Sequence, residues 1–191
     1  MIAQSNIWKG LGISVAFVFL ISCAPRHSSG YFTSGKNVAL PDSARVKAVV
    51  SVSQENLSAV LFAVPNERYR LELSGTFGLS AASILWKKDG WKVVLPHNDR
   101  YMEGVGDCVS ILGYGNVDIH KFAKLFLGRR VDALDCNGSV LTLEYERNTA
   151  LAVFGGDSLK LEIKTIDPKA KWGGGVWNLN VPEKYIRITE Y

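Results

Sequence analysis

Leu57-Ser-Ala-Val-Leu-Phe-Ala-Val-Pro-Asn-Glu-Arg-Tyr-Arg-Leu-Glu-Leu-Ser-Gly-Thr-Phe-Gly78 is the stretch on which the fold is decided. Leu57 to Val64 is a continuous apolar run, broken by Pro65-Asn66. Arg68-Tyr-Arg-Leu-Glu-Leu73 then alternates polar and apolar residues, the period-2 pattern of a strand buried on one face. Two strands joined by a turn are expected, with Ser74-Gly-Thr-Phe-Gly78 as the next connection.

The same pattern extends to both sides. Val46 to Ser53 is rich in valine. Ala81 to Lys87, Asp89-Gly90 and Trp91 to Leu95 read as a hairpin with an Asp-Gly turn, and Arg100 to Glu103 as a short strand. Further strands are expected at Val140–Glu146, Leu151–Phe154 and Leu159–Ile166, with Gly155-Gly156-Asp157 turning the last pair. Val176–Leu179 and Tyr185–Thr189 complete the series. One helix stands out. Asp118 can cap it, Ile119, Phe122, Ala123 and Phe126 fall on one face, and Gly128 can end it. Many short strands with one or two helices predict a mainly β domain, an antiparallel sheet curled around a helix.

The first 22 residues read as an export signal. Lys9 is their only charge, and the apolar run Leu11 to Ile21 is about half of what spans a bilayer. Leu20-Ile-Ser-Cys23 resembles the bacterial lipobox, which implies cleavage before Cys23 and acylation of its thiol. In such lipoproteins an Asp after the cysteine favours inner-membrane retention. Ala24 stands there, implying the outer membrane, periplasmic face. The expected organisation is a signal at 1–22, a lipidated cysteine and tether rich in turn formers at 23–44, and one domain at 45–191.

The remaining ~170 residues suit one domain with its own core. The formal charge of +4 is mild, and its Lys and Arg residues are scattered, which gives nucleic-acid binding no support. Cys108 and Cys136 are a disulfide in an oxidising compartment or two buried thiols. Gly30-Tyr-Phe-Thr-Ser-Gly-Lys-Asn37 nearly matches a phosphate-binding loop, but it lacks the final hydroxyl and a preceding strand. His27, His97 and His120 have no metal-ligand spacing. Neither a nucleophile elbow nor a distinctive carboxylate pair is present, so no enzyme, cofactor or metal is expected.

The stretch from Leu57 to Gly78 resembles the central strands of the outer-membrane lipoprotein receptor family LolB. In that family a strand of Arg/Tyr-Arg-Leu type leads to a short loop ending in an apolar residue and Gly. Asp118-Ile-His-Lys-Phe-Ala-Lys-Leu-Phe-Leu-Gly128 is similar to the family's helix, and Tyr145 to Gly156 to a later strand pair. Lys169 to Tyr191 departs from the pattern. The resemblance implies an incomplete β-barrel closed by a helical lid. Its apolar interior would receive acyl chains of lipoproteins from a LolA-like periplasmic carrier, as a monomer. Leu71, Leu73, Ile84, Trp86, Val94, Leu141 and Leu143, with Phe122 and Phe126, are the candidates for lining a cavity; the alternative is that they pack as a dry core. Phe77 matches the family's exposed membrane-contacting position; the alternative is that it folds back onto the core.

Overall fold

The computed structural model describes residues 30–32, 39–52, 55–111, 115–134, 136, 142–154 and 157–188. Cys23 and Leu141 lie outside the described residues. The described residues form a large curved sheet, not closed on itself, around one α-helix. Its strands are β1 (Ala44–Val52), β2 (Glu55–Val64), β3 (Arg68–Ser74), β4 (Ser80–Lys87), β5 (Gly90–Leu95) and β6 (Arg100–Gly104). They continue with β9 (Thr142–Glu146), β10 (Thr149–Phe154), β11 (Asp157–Asp167) and β12 (Ile186–Arg187). A separate hairpin, β7 (Cys108–Ile111) and β8 (Gly115–Asp118), leads into helix α1 (Ile119–Phe126).

The ten-stranded order is β12-β6-β5-β4-β3-β2-β1-β11-β10-β9. Every pairing is antiparallel except β12, which runs parallel to β6 through Ile186↔Arg100 and Arg187↔Tyr101. Strands alternate faces, so one set of side chains fills the concave side. Val46, Ala48 and Val50 from β1, Leu61 from β2, Tyr69 and Leu71 from β3, and Leu161 and Ile163 from β11 share one buried cluster with α1.

Local chemistry sets α1. Asp118 accepts from the backbone N–H groups of His120 at 2.9 Å and Lys121 at 3.1 Å, satisfying donors that a helix start leaves open. Gly128 ends the helix at φ +75, a conformation that side chains resist. A Cβ at Gly128 would also stand 2.7 Å from the Tyr31 carbonyl oxygen. Cys108 and Cys136 are joined in a disulfide with Cα atoms 5.9 Å apart, so the β7–β8 hairpin and α1 hang between two cross-linked positions.

Three expectations change. Residues at 30–32 and 39–43, placed with the tether, lie against the domain: Phe32 is buried against Tyr145, Tyr31 N–H donates to Asn148 Oδ1 at 3.0 Å, and Leu40 packs on the core. A large aromatic at position 32 gains more by burial than a tether gains by mobility. Val176–Leu179 is not a strand. The consecutive glycines 173–175 disfavour extended pairing, and a 3₁₀ turn forms at Gly174–Trp177. Of the expected strand Tyr185–Thr189, Thr189 lies outside the described residues, and the strand itself is Ile186–Arg187, with the Ile188 N–H still donating to the Tyr101 carbonyl.

The stretch after β11 crosses the convex side of the sheet. Trp172 meets Phe62 edge-on at 5.6 Å and Trp177 at 5.8 Å. The Arg68 guanidinium lies 4.6 Å over the Trp177 ring. Arg70 Nη1 donates to the carbonyls of Val176 and Asn178, both at 2.7 Å, while Glu72 pairs with Arg70 and accepts from Ser83.

Candidate functional site

The two ends of the curved sheet differ. At one end the inward positions, Val46, Ala63, Tyr69, Trp86 and Trp91, are buried in the cluster that holds Ile119, Phe122 and Phe126. At the other end, the last inward aliphatic residues of β1, β3, β5, β9 and β11 are Val52, Leu73, Leu95, Leu143 and Leu159. All five are only half-buried. The register joins several of them: Leu143 faces Ala152, Ala152 faces Leu159, and Leu159 faces Val52. Val52, Leu159 and Leu143 thus share one row, with Leu73 and Leu95 toward the same ends of their own strands, and this half-covered end is here called the mouth.

The β3–β4 connection stands at this mouth. Ser74 and Ser80 still pair, and Gly75 N–H donates to the Leu79 carbonyl at 2.8 Å, which pinches the loop at its base. Phe77 at its tip takes φ 61 and Gly78 takes φ 73. A phenylalanine in the left-handed region is strained by roughly 1 kcal/mol or more. The turn holds Phe77 away from the core: it is 97% exposed, and Leu79 is 71% exposed. A groove of ≈ 740 Å³ runs beside the loop, with Leu57, Leu95 and His97 among its walls. Of the two alternatives for Phe77, the structure takes the exposed one.

The expected cavity residues divide. Leu73 and Leu143 stand at the mouth. Leu71, Ile84, Trp86, Phe122 and Phe126 are fully buried in the common cluster. Val94 is a correction. It is buried but lies outside that cluster, because the register Ser83↔Val94 and Ile84↔Val93 turns Val93 inward and Val94 toward the convex face beside Ser83. Val93-Val94 is an apolar pair in which alternation alone does not choose the inward member. Leu141, like Cys23, lies outside the described residues.

Sequence reading missed Val52, Leu57, Leu79, Leu95 and Leu159. Each simply continues the alternation or the loop to its end, so the signal was present, but its place at the mouth depends on strand stagger. It also missed the polar cluster at the start of α1, where His120 lies between Tyr69 and Asp107. Two phenols, the buried Tyr69 and the half-buried Tyr145, are perturbed: loss of water around them pushes their pKa up, and the backbone N–H groups of Asn66 and Val131 partly offset this. Among the described residues there is no group of three or more His, Cys, Asp or Glu side chains disposed to hold a metal, and no helix long and apolar enough to cross a membrane.

No family model matches the chain, and no curated protein matches it.

Proposed function

We propose that this chain is a lipoprotein anchored through Cys23 to the outer membrane, which takes acyl chains of other lipoproteins at its apolar mouth and delivers them to the bilayer. The observation that carries this reading is Phe77. An aromatic side chain held in water on a strained turn forgoes roughly 2 kcal/mol of burial. A membrane interface, or an acyl chain in the adjoining groove, restores it. Leu57 and the half-buried Leu95 line the groove beside that loop, and Val52, Leu73, Leu143 and Leu159 are half-buried near the ends of their strands. Each methylene that leaves water there contributes ~0.8 kcal/mol, and no covalent chemistry is needed. The donor would be a periplasmic carrier of LolA type.

The test uses the chain from residue 23 with Cys23→Ser, mixed with a carrier loaded with an acylated lipoprotein. Cargo should move onto the protein in a pull-down and then into vesicles. Phe77→Glu should lower delivery to vesicles about tenfold while shifting stability by less than ~0.5 kcal/mol, as for an exposed position. Cargo that stays on the carrier sinks the proposal.

A second reading rests on the buried state of Leu71, Ile84, Trp86, Phe122 and Phe126. If that interior never opens, the protein is an envelope module that binds a partner through its surface. A folded chain that also fails to bind a fluorescent fatty acid selects this reading.

A further inference from the structure

Besides Phe77 and Leu79, the large apolar side chains left in water among the described residues are Val105, 83% exposed, and Ile186, 66% exposed. Ile186 shares an end of the sheet with the Phe77 loop, and Val105 does not. The β3–β4 and β5–β6 connections leave the sheet at one end, because β3 to β6 are successive antiparallel strands. Both connections line the same groove, the first through Phe77 and Leu79, the second through His97 and Asn98. Asp99 follows, and its carbonyl accepts from the Ile186 N–H at 2.9 Å. Ile186 itself pairs with Arg100, the first residue of β6. β12 therefore begins beside that groove. Val105 follows the last residue of β6, at the opposite end of the strand.

The chemistry of this segment suits a membrane–water interface. Strand alternation puts Ile186 on the same face as Ile188, which packs against the core, but Ile186 lies beyond that cover. The half-buried Tyr185 precedes it, and Lys184 Nζ stands 5.7 Å from the Tyr185 ring centroid. Tyrosine favours the headgroup level of a bilayer, and a lysine stem lies along apolar surface while its charge stays in water. The charges around β12 nearly cancel. Lys184 pairs with Asp99 at 3.0 Å and Arg187 with Glu103 at 3.5 Å, and the exposed Arg100 and Glu183 are opposite in sign. What β12 offers is thus apolar contact and not charge attraction. Phe77, Leu79 and Ile186 project from separate segments, so a deformable surface can meet all three. The anchor keeps such a surface near, because Gly30, next to the docked Tyr31 and Phe32, is seven positions after Cys23. Seven residues span at most ~25 Å.

We propose that β12 is a second point of membrane contact: Ile186, flanked by Tyr185 and Lys184, enters the bilayer interface together with Phe77 and Leu79. Two contacts on one end of the sheet fix which end faces the bilayer, where a single loop leaves the domain free to swing. The inference rests on the Cys23 anchor of the reading above and not on its acyl-chain cargo.

The test uses the chain from residue 23 with Cys23→Ser, so that no acyl chain of its own holds it, and vesicles of phosphatidylethanolamine and phosphatidylglycerol, with partition read by flotation. The parent should float with the vesicles, and at about 1 M salt it should still do so, because charge attraction is then screened. Ile186→Asp should lower the partition coefficient about fivefold, as expected when an isoleucine no longer leaves water. Ile186→Trp should raise it, a gain that a damaged fold does not give. Val105→Asp, at the other end of β6, should float as the parent does. Ile186 variants that both float like the parent while Phe77→Glu is lost overturn the β12 contact and leave the acyl-chain reading standing. A parent that does not float, or an equal loss in Val105→Asp, also overturns it. So does a dimer that Ile186→Asp abolishes without a change in flotation, which assigns β12 to pairing with a second copy. Cargo that stays on its carrier while the Ile186 variants shift as expected sinks the acyl-chain reading alone.

Discussion

The α1 end and the mouth end of the sheet are built from the same strands, yet they solve burial differently. At the α1 end, Tyr69, Trp86 and Trp91 fill the curve with rings, and Ile119, Phe122 and Phe126 close over them. At the mouth the inward residues are aliphatic, half-covered and faced by no helix among the described residues. Stability and access are thus divided along the strands. One end holds the sheet in its curve, while the other leaves apolar surface half-covered. The same division explains how Phe77 is tolerated: its strain falls on a loop outside the packed end.

Substitutions at the two ends should break or sharpen this contrast. The largest effect is expected for Phe126→Ala. Phe126 is 0% exposed at the centre of the packed end, and its truncation should cost roughly 3–5 kcal/mol in denaturant unfolding. A loss under about 1 kcal/mol would mean that this end is not the anchor of the fold. Leu159→Ala at the mouth removes a half-covered side chain and should cost about 1–2 kcal/mol, while lowering fatty-acid binding more than stability. Equal losses for Leu159→Ala and Phe126→Ala would erase the distinction between the ends.

The smallest expected effect is alkaline. Burial, opposed by the Asn66 and Val131 N–H groups, raises the pKa of Tyr69 and Tyr145 above the usual 10.0. Tyr145 Oη also donates to the Val131 carbonyl at 2.7 Å, a bond that a phenolate cannot make. The folded protein therefore holds these protons more tightly than the unfolded chain. Their contribution to stability is complete below pH 10.0 and falls as pH rises through the higher folded values. Chemical denaturation followed from about pH 9 to 11 should show this fall, and Tyr69→Phe should reduce it. A flat profile would place both phenols in water.

Most of the sheet was legible from sequence because hydrophobic alternation is a local property. β2, β3, β5 and α1 fall close to where the runs and the Asp118 cap put them. The Phe77 loop was legible as a loop and as an exposed or folded aromatic; the positive φ that decides between these depends on how β3 and β4 pair around it. Long-range relations were not legible. Val94 faces outward because of hairpin register. The β7–β8 hairpin is too short to announce itself, although Cys108 sits in it. The tryptophans on either side of the glycines at 173–175 pack on the convex side only because Phe62, Arg68 and Arg70 present partners there. The mouth is the plainest case: its five aliphatic residues come from five strands, and only the pairing register shows which of them share a row, Val52 facing Leu159 while Leu73 faces Ala59.

The parallel strand β12 has a temporal consequence. Lys184, just before it, bonds Asp99 across 85 positions of sequence, and β12 pairs with β6 by two residues only. A chain emerging N-terminus first completes β6 long before β12 exists. Until the last segment arrives, the β6 edge is an uncovered row of backbone donors and acceptors, open to pairing with another chain. β1 likewise waits for β11. Such distant pairings slow folding. The immature protein thus carries two exposed edges for much of its synthesis, and a chaperone that shields strand edges would raise its yield more than one that shields apolar helices.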